Sequence, residues 1–212
     1  MKHILIFLLA TVTFEAPPDT SLSPATPAQQ RLMLEKITQA SQSMQSLCCR
    51  FEQVKTLSLL DDKMRSQGMM FYRSDNSLRW EYTAPYVYTF VLHNNRVLMQ
   101  TDRSRNVIDV KSSRLFQEIV RIMLSGVNGS GLADDKNFSA RFFYSQKRWD
   151  VILTPLQKEM KQLFSAITLR FNANDYSVEQ VEMAEKNGDT TVITLTDKKF
   201  NVEIADEKFR ID

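Results

Sequence analysis

Gly68 to Tyr86 reads GMMFYRSDNSLRWEYTAPY, and the two alternating runs on either side of its polar break decide the fold class. Met70 and Tyr72 alternate with Met69, Phe71 and Arg73, and Leu78, Trp80 and Tyr82 alternate with Arg79 and Glu81. A period of two sends successive side chains to opposite faces of a strand, so each run carries two different faces. Ser74 to Ser77 supplies the turn between them, and Pro85 closes the second run.

The same pattern extends outward in both directions. Residues 47–56, 64–73, 77–83, 87–93, 96–101 and 106–110 read as short strands separated by turn residues such as Asn94-Asn95, which predicts an antiparallel meander. Residues 113–124 interrupt it as a helix with Leu115, Ile119, Ile122 and Met123 on one face, ended by a loop carrying Gly126, Gly129 and Gly131. Strands resume at 139–145 and 148–154, a short helical piece follows at 157–163, and 166–172, 178–184, 190–197, 200–204 and 209–211 complete the series. Upstream, Leu32, Leu34, Ile37, Ala40 and Met44 recur at near-helical spacing, so 28–46 reads as an amphipathic helix started by Pro27. The sum is about ten or eleven strands with two or three helices. A meander closed on itself has no need of amphipathic helices, whereas a curved open sheet needs a cover for its concave face. The pattern therefore predicts a curled sheet with helices lying in its mouth.

At 212 residues the chain suits one domain with a sizeable core, and 43% hydrophobic residues is the content of a globular protein. Lys and Arg number 27 against 25 Asp and Glu, without a long basic block, which argues against nucleic acid as a partner. Residues 1–16, MKHILIFLLATVTFEA, have a charged start, an apolar run and small residues at Ala10 and Ala16, the layout of a cleaved signal peptide. The competing reading is a membrane anchor, but the run is well short of the roughly 20 residues that span a bilayer. Residues 17–27 (PPDTSLSPATP), rich in Pro, Ser and Thr, read as a flexible linker, and 28–212 as the folded domain. Cys48 and Cys49 are adjacent, a spacing that rarely meets disulfide geometry. The alternation expects one sulfur in the core and one outside, with pairing between molecules left open.

Several segments then agree, in order, with one known family. Phe51-Glu52-Gln53-Val54-Lys55 is similar to the F-x-Q-x-K strand after the first helix of the LolA family, periplasmic carriers of lipoproteins. Gly68, Phe71 and Arg73 resemble its G-x-[FL]-x-[FVY]-x-R segment, and Leu78-Arg79-Trp80-Glu81-Tyr82 with Pro85 resembles the following [FL]-R-W-x-Y-x-x-P. Residues 151–155 look like its strand ending in L-x-P, and Gly188-Asp189-Thr190-Thr191 resembles its late G-D-x-[ST] turn. The chain departs from the family at Ser74-Asp75-Asn76-Ser77, where proline and a shorter turn are usual, and at Asn94-Asn95, where Asp-Gly is usual.

The resemblance implies a mainly β fold with α, an unclosed antiparallel half-barrel with a helical lid over its concave apolar face. It implies a binding protein in the periplasm, with no enzymatic activity, cofactor or metal. The implied partners are acylated lipoproteins, an inner-membrane lipoprotein-releasing ABC transporter and an outer-membrane acceptor, and the expected state is a monomer. A water-excluding site for acyl chains draws about 0.8 kcal/mol from each CH₂ it buries. The expected lining is Phe51, Met70, Tyr72, Leu78, Trp80, Tyr82, Phe90, Leu92, Met99, Leu115, Ile119 and Met123, although any single residue of this kind is more often plain core and the case is a collective one. Arg73, at a strand end, is expected either to latch the lid by hydrogen bonds to its backbone, as the family's matching arginine is thought to do, or to be a solvated residue. Arg79 and Glu81 read as an ion pair of little energetic weight. Enzyme signatures are weak: His93 is the one histidine outside the signal, no nucleophile elbow, zinc motif or phosphate loop occurs, and Asp61-Asp62 and Asp134-Asp135 read as solvated turns. The alternative reading is a module of the same fold that carries another amphiphile or senses lipoproteins.

Overall fold

A computed structural model describes residues 22–60, 62–112, 117, 120, 124, 132 and 136–211. The strands are β1 (Ser23–Pro24), β2 (Ser46–Leu57), β3 (Asp62–Arg73), β4 (Ser77–Ala84), β5 (Tyr88–His93), β6 (Arg96–Gln100), β7 (Arg105–Asp109), β8 (Phe138–Tyr144), β9 (Arg148–Pro155), β10 (Phe164–Asn172), β11 (Val178–Glu185) and β12 (Thr190–Phe200). Among the described residues the continuous helices are α1 (Pro27–Ser43) and α2 (Lys158–Leu163), with 3-10 turns at Val110–Ser112 and Asp206–Phe209, and Gln117, Val120 and Leu124 are also helical. All twelve strands join one antiparallel sheet in the order β1-β8-β9-β10-β11-β12-β2-β3-β4-β5-β6-β7. β1 and β7 are its edges and do not pair with each other, so the sheet is open, as the pattern predicts.

Both departures from the family's turns are resolved by backbone conformation. Asn94 and Asn95 both take positive φ, 50° and 59°, which is the geometry that a two-residue hairpin between His93 and Arg96 demands and that asparagine tolerates. Arg73 pairs with Ser77, and Asn76 at φ 62° turns the chain between them. The Asp75 carboxylate accepts the Ser77 N–H at 3.0 Å and fixes this turn.

Three segments differ from the sequence-based expectation. Residues 200–204 and 209–211 do not form separate strands: β12 runs through to Phe200 by way of a bulge at Asp197 (φ 52°), and the chain beyond it wraps the sheet as a strap. The end of the expected linker is tied down. Ser23 and Pro24 pair with Tyr144 and Phe143, the Ala25 N–H donates to the Phe142 carbonyl at 2.9 Å, and Ala25 is buried. Proline is compatible with a strand here because β1 is an edge, where its missing N–H costs no ladder bond. The helix ends at Ser43, since Ser46 already pairs with Arg73 in the sheet. Residues 1–16 and 17–21 of the expected linker lie outside the described residues.

α1 starts with a capping box. The Thr26 hydroxyl accepts the Gln29 N–H, and the Gln29 side chain accepts the Thr26 N–H at 2.8 Å. Its buried stripe is Met33 and Ile37, continued by Met44 just past the helix, while Leu32 of the expected stripe is exposed.

Two layers of apolar side chains cover the sheet. On one face lie two adjoining clusters. The first sets Met33 and Ile37 of α1 and Met160 of α2 on Trp149, Val151, Leu153, Ile167, Leu169 and Phe171. The second sets Met44, Val110 and Val120 on Leu47, Phe51, Met70, Leu78, Trp80, Leu92 and Val97. Ile193 packs against both. The opposite face carries the strap, whose Phe209 and Ile211 bury Val91 and Leu98 with help from Phe71 and Ile204.

Candidate functional site

Residues opposed across antiparallel strands share a face. Phe51 opposes Gly68, and Gly68 opposes Tyr82; Met70 opposes Trp80, which opposes Phe90, which opposes Met99. Tyr72 opposes Leu78, which opposes Leu92. Nine of the expected lining residues, Phe51, Met70, Tyr72, Leu78, Trp80, Tyr82, Phe90, Leu92 and Met99, are thereby brought to one face, the face covered by helical residues. The other three, Leu115, Ile119 and Met123, lie outside the described residues. Their described neighbours Val120 and Leu124 are helical and pack on this same cluster, which places a helical cover over it.

The cluster is organised around a missing side chain. Gly68 lies between Phe51 and Tyr82, where a Cβ would fall 1.7 Å from the Glu81 carbonyl oxygen and 2.8 Å from the Phe51 ring. The bare backbone lets the Phe51 ring settle 4.8 Å from that of Trp80 and 4.9 Å from that of Tyr82. A bulge beside it, at which Gln67 opposes Ala84 and Gly68 opposes Tyr82, leaves Thr83 as the extra residue. Toward the Leu57–Asp62 hairpin the aromatic run continues through Tyr82, Tyr86 and Tyr88 with centroids 5.8 Å apart. Burial, with Tyr86 and Tyr88 adding to it, pushes the Tyr82 hydroxyl well above the usual tyrosine range, and it donates to Gln53 Oε1 at 2.9 Å. Beyond it a cleft of about 230 Å³ opens between Gln53, Lys55, Met64, Ser66 and Tyr86. The adjoining hairpin exposes Leu59 and Leu60 almost completely.

The half of the face formed by Trp149, Val151, Leu153, Ile167 and Leu169 was not among the expected lining. Alternation in 148–154 was the signal that could have found it. Trp149 is held between the rings of Tyr144, at 6.0 Å, and Tyr176, at 5.1 Å.

Arg73 lies elsewhere. Tyr72 faces the covered side, so Arg73 points to the opposite one, where its guanidinium sits 4.8 Å over the Phe209 ring and pairs with Asp206 at 2.5 Å and Asp75 at 3.0 Å. The lid-latch position expected for it is therefore not the one it occupies: strand alternation turns it away from the helical cover and onto the strap. The expected Arg79–Glu81 pair is formed on the same outer face, and Arg79 also donates to the Lys208 carbonyl at 3.0 Å.

Cys49 points into the covered cluster and Cys48 out, as alternation requires; both are free thiols. Burial, reinforced by Cys48 beside it, pushes the Cys49 thiol up to about 12, so it stays protonated and inert. Among the described residues no helix is long and apolar enough to cross a membrane.

A family model described as outer membrane lipoprotein carrier protein LolA matches residues 42–212. No curated protein matches this chain in sequence. Among solved structures, the chain is similar to the MucA/MucB complex of Pseudomonas aeruginosa, at 11% identity over 84% of this chain and 59% of that one, with a TM-score of 0.51. It is similar to a structure of MucB at 13% identity over 86% and 62%, with a TM-score of 0.50. A LolA superfamily protein from Nitrosomonas europaea is similar at 10% identity over 85% and 96%, with a TM-score of 0.46. The chain spans about three fifths of the MucB-containing chains, and at these identities the likeness is one of fold.

Proposed function

We propose, since this chain belongs to the LolA family of outer membrane lipoprotein carrier proteins, that it is a periplasmic carrier which holds the acyl chains of lipoproteins against the covered face of its sheet and moves them from the inner to the outer membrane. The observation that carries this reading is the convergence of Phe51, Met70, Tyr72, Leu78, Trp80, Phe90 and Leu92 on one apolar face of an open sheet, roofed by helical residues that do not belong to the sheet. An open sheet with a separable cover can admit a chain between its two layers. Every methylene then buried contributes about 0.8 kcal/mol, so affinity follows from area without any chemical step. Transfer needs only a difference in affinity between successive apolar sites. In this reading an inner-membrane ABC transporter loads the carrier, an outer-membrane acceptor unloads it, and the role is binding and not catalysis.

Native mass spectrometry of the protein taken from its own envelope tests the proposal. A bound triacylated lipoprotein is the expected result. A different bound lipid would assign the same face to another amphiphile, and lipid-free protein from lipoprotein-rich envelopes would overturn the acyl-binding reading altogether.

A further inference from the structure

Among the described residues, the indole N–H of Trp80 is a buried donor with no acceptor. Trp80 is 8% exposed and lies in the middle of the covered face, opposed by Met70 on one strand and Phe90 on the other, with Phe51 4.8 Å away. A buried tryptophan ordinarily finds a partner for this N–H, because leaving a donor unmade costs more than a typical hydrogen bond returns. Among the described residues the surroundings offer none. Met70, Phe90, Phe51 and Val120 are apolar, and the Tyr82 hydroxyl, which donates to Gln53, does not accept the indole N–H. A buried water needs two to four polar partners, which this cluster does not supply. Phenylalanine would fill the same apolar layer without that cost, so the donor calls for an acceptor that arrives from outside. Trp149, under α1 in the other cluster, has a similarly orphaned N–H, but it is clamped between two tyrosine rings, and Trp80 belongs to the cluster on which the expected lining residues converge.

We infer that the Trp80 indole N–H donates a hydrogen bond to an acyl carbonyl of the bound lipid, making this face a reader of acylglycerol esters and not only a greasy surface. The inference rests on the acyl-binding reading above and adds a polar determinant to it. The carbonyl can belong to a free diacylglycerol or to the diacylglyceryl group of a lipidated cysteine, since both present the same ester.

The test compares dimyristoylglycerol, its di-O-tetradecyl ether counterpart and a diacylglyceryl-cysteine peptide, each measured by displacement of a fluorescent fatty-acid probe from the full protein. The ether keeps the chains and loses the carbonyls. One neutral hydrogen bond predicts an ester preference of about fivefold, abolished in Trp80→Phe. The peptide binding more tightly than dimyristoylglycerol identifies a lipidated protein as the source of the carbonyl, and the reverse order identifies a glycerolipid; either supports the inference. Equal affinity for ester and ether overturns it while leaving acyl carriage intact. Displacement by none of the three overturns acyl carriage and the inference with it. A second readout needs no variant: the ¹⁵N-labelled Trp80 indole proton should move downfield with the ester and stay in place with the ether, and an unmoved resonance in both overturns the assignment.

Discussion

Gly68 shows how much a single absent side chain can determine. Its α-hydrogen occupies the spot where a methyl group would lie 1.7 Å from the Glu81 carbonyl, so the aromatic trio of Phe51, Trp80 and Tyr82 is possible only because nothing is there. The obstacle on one side is backbone, which cannot yield as a flexible side chain can. Gly68→Ala should therefore lower stability by about 3 kcal/mol or more, read from the urea midpoint at an unchanged slope. A loss below about 0.5 kcal/mol would mean that the bulge at Gly68 relaxes freely. Asp189 acts in the opposite way, by what it holds: its carboxylate accepts the Ser58 N–H at 3.0 Å and the Asn187 amide at 3.0 Å, with Lys55 at 3.8 Å. The Ser58 backbone bond, helped by the Asn187 and Ser58 side chains and the Lys55 charge, holds this carboxyl below the usual aspartate range against the opposing effect of burial. A depressed folded-state value means that the contribution is fully present above the unfolded value of about 4 and fades as pH falls through the folded one. Asp189→Asn should accordingly be less stable than the parent at pH 7, with the gap closing at more acid pH. A gap independent of pH from 7 to 2 would show that the charge is not what matters. The sequence presents both residues inside short motifs, Gly68-Met69-Met70-Phe71 and Gly188-Asp189-Thr190-Thr191, but the reasons they are needed, a cross-strand carbonyl and a neighbouring hairpin, lie elsewhere in the chain.

Among the elements, the strands were the most legible, because β2, β3 and β4 alternate cleanly and most turns announce themselves in Asn, Asp or Ser. α1 was legible in place but not in orientation. Its stripe, read as Leu32, Leu34, Ile37, Ala40 and Met44, is centred in fact on Met33 and Ile37 and continued by Met44, and no charged residue in its first or last turn marks which side is outward. The strap was misread as strands since Ile204, Phe209 and Ile211 look like any apolar alternation, whereas they pack down onto Val91 and Leu98 instead of pairing along a neighbour. Its anchor is Arg73, through Asp206, Asp75 and the Phe209 ring, with a further bond from Arg105 to the Ile211 carbonyl. Arg73→Leu should loosen the strap selectively. The expected result is faster hydrogen exchange at 206–211, a stability loss of about 1 kcal/mol since the side chain is partly solvated, and unchanged displacement of a fatty-acid probe. Impaired probe release with an undisturbed strap would return Arg73 to the lid.

At the scale of the whole molecule, the sheet is held by very different means on its two halves and its two faces. The outer face over β3, β5 and β6 is sealed by a covalent continuation of β12, so it has no need to open. The inner face is roofed by elements joined to it mainly through apolar contact: α1 offers only Met33 and Ile37 as fully buried side chains, and the second half is roofed by Met44, Val110 and Val120. Twelve strands laddered to one another resist separation, while a helix lying on them through two side chains opens at a fraction of the global cost. A ligand that enters the inner face must therefore displace the roof and leave the ladder intact. Hydrogen exchange followed by mass spectrometry should find amides of 33–43 exchanging faster than those of β2, β3 and β10 in free protein, and it should be the roof whose rates change when a saturating acyl ligand is added. The same ligand at a hundred times its Kd should add about 2.7 kcal/mol of stability and raise Tm by about 5–10 °C for a chain of this size. Equal protection of roof and ladder, with no ligand-dependent change in either, would mean that the two layers form a permanent core, and that a carrier's cavity has to be sought elsewhere in the molecule.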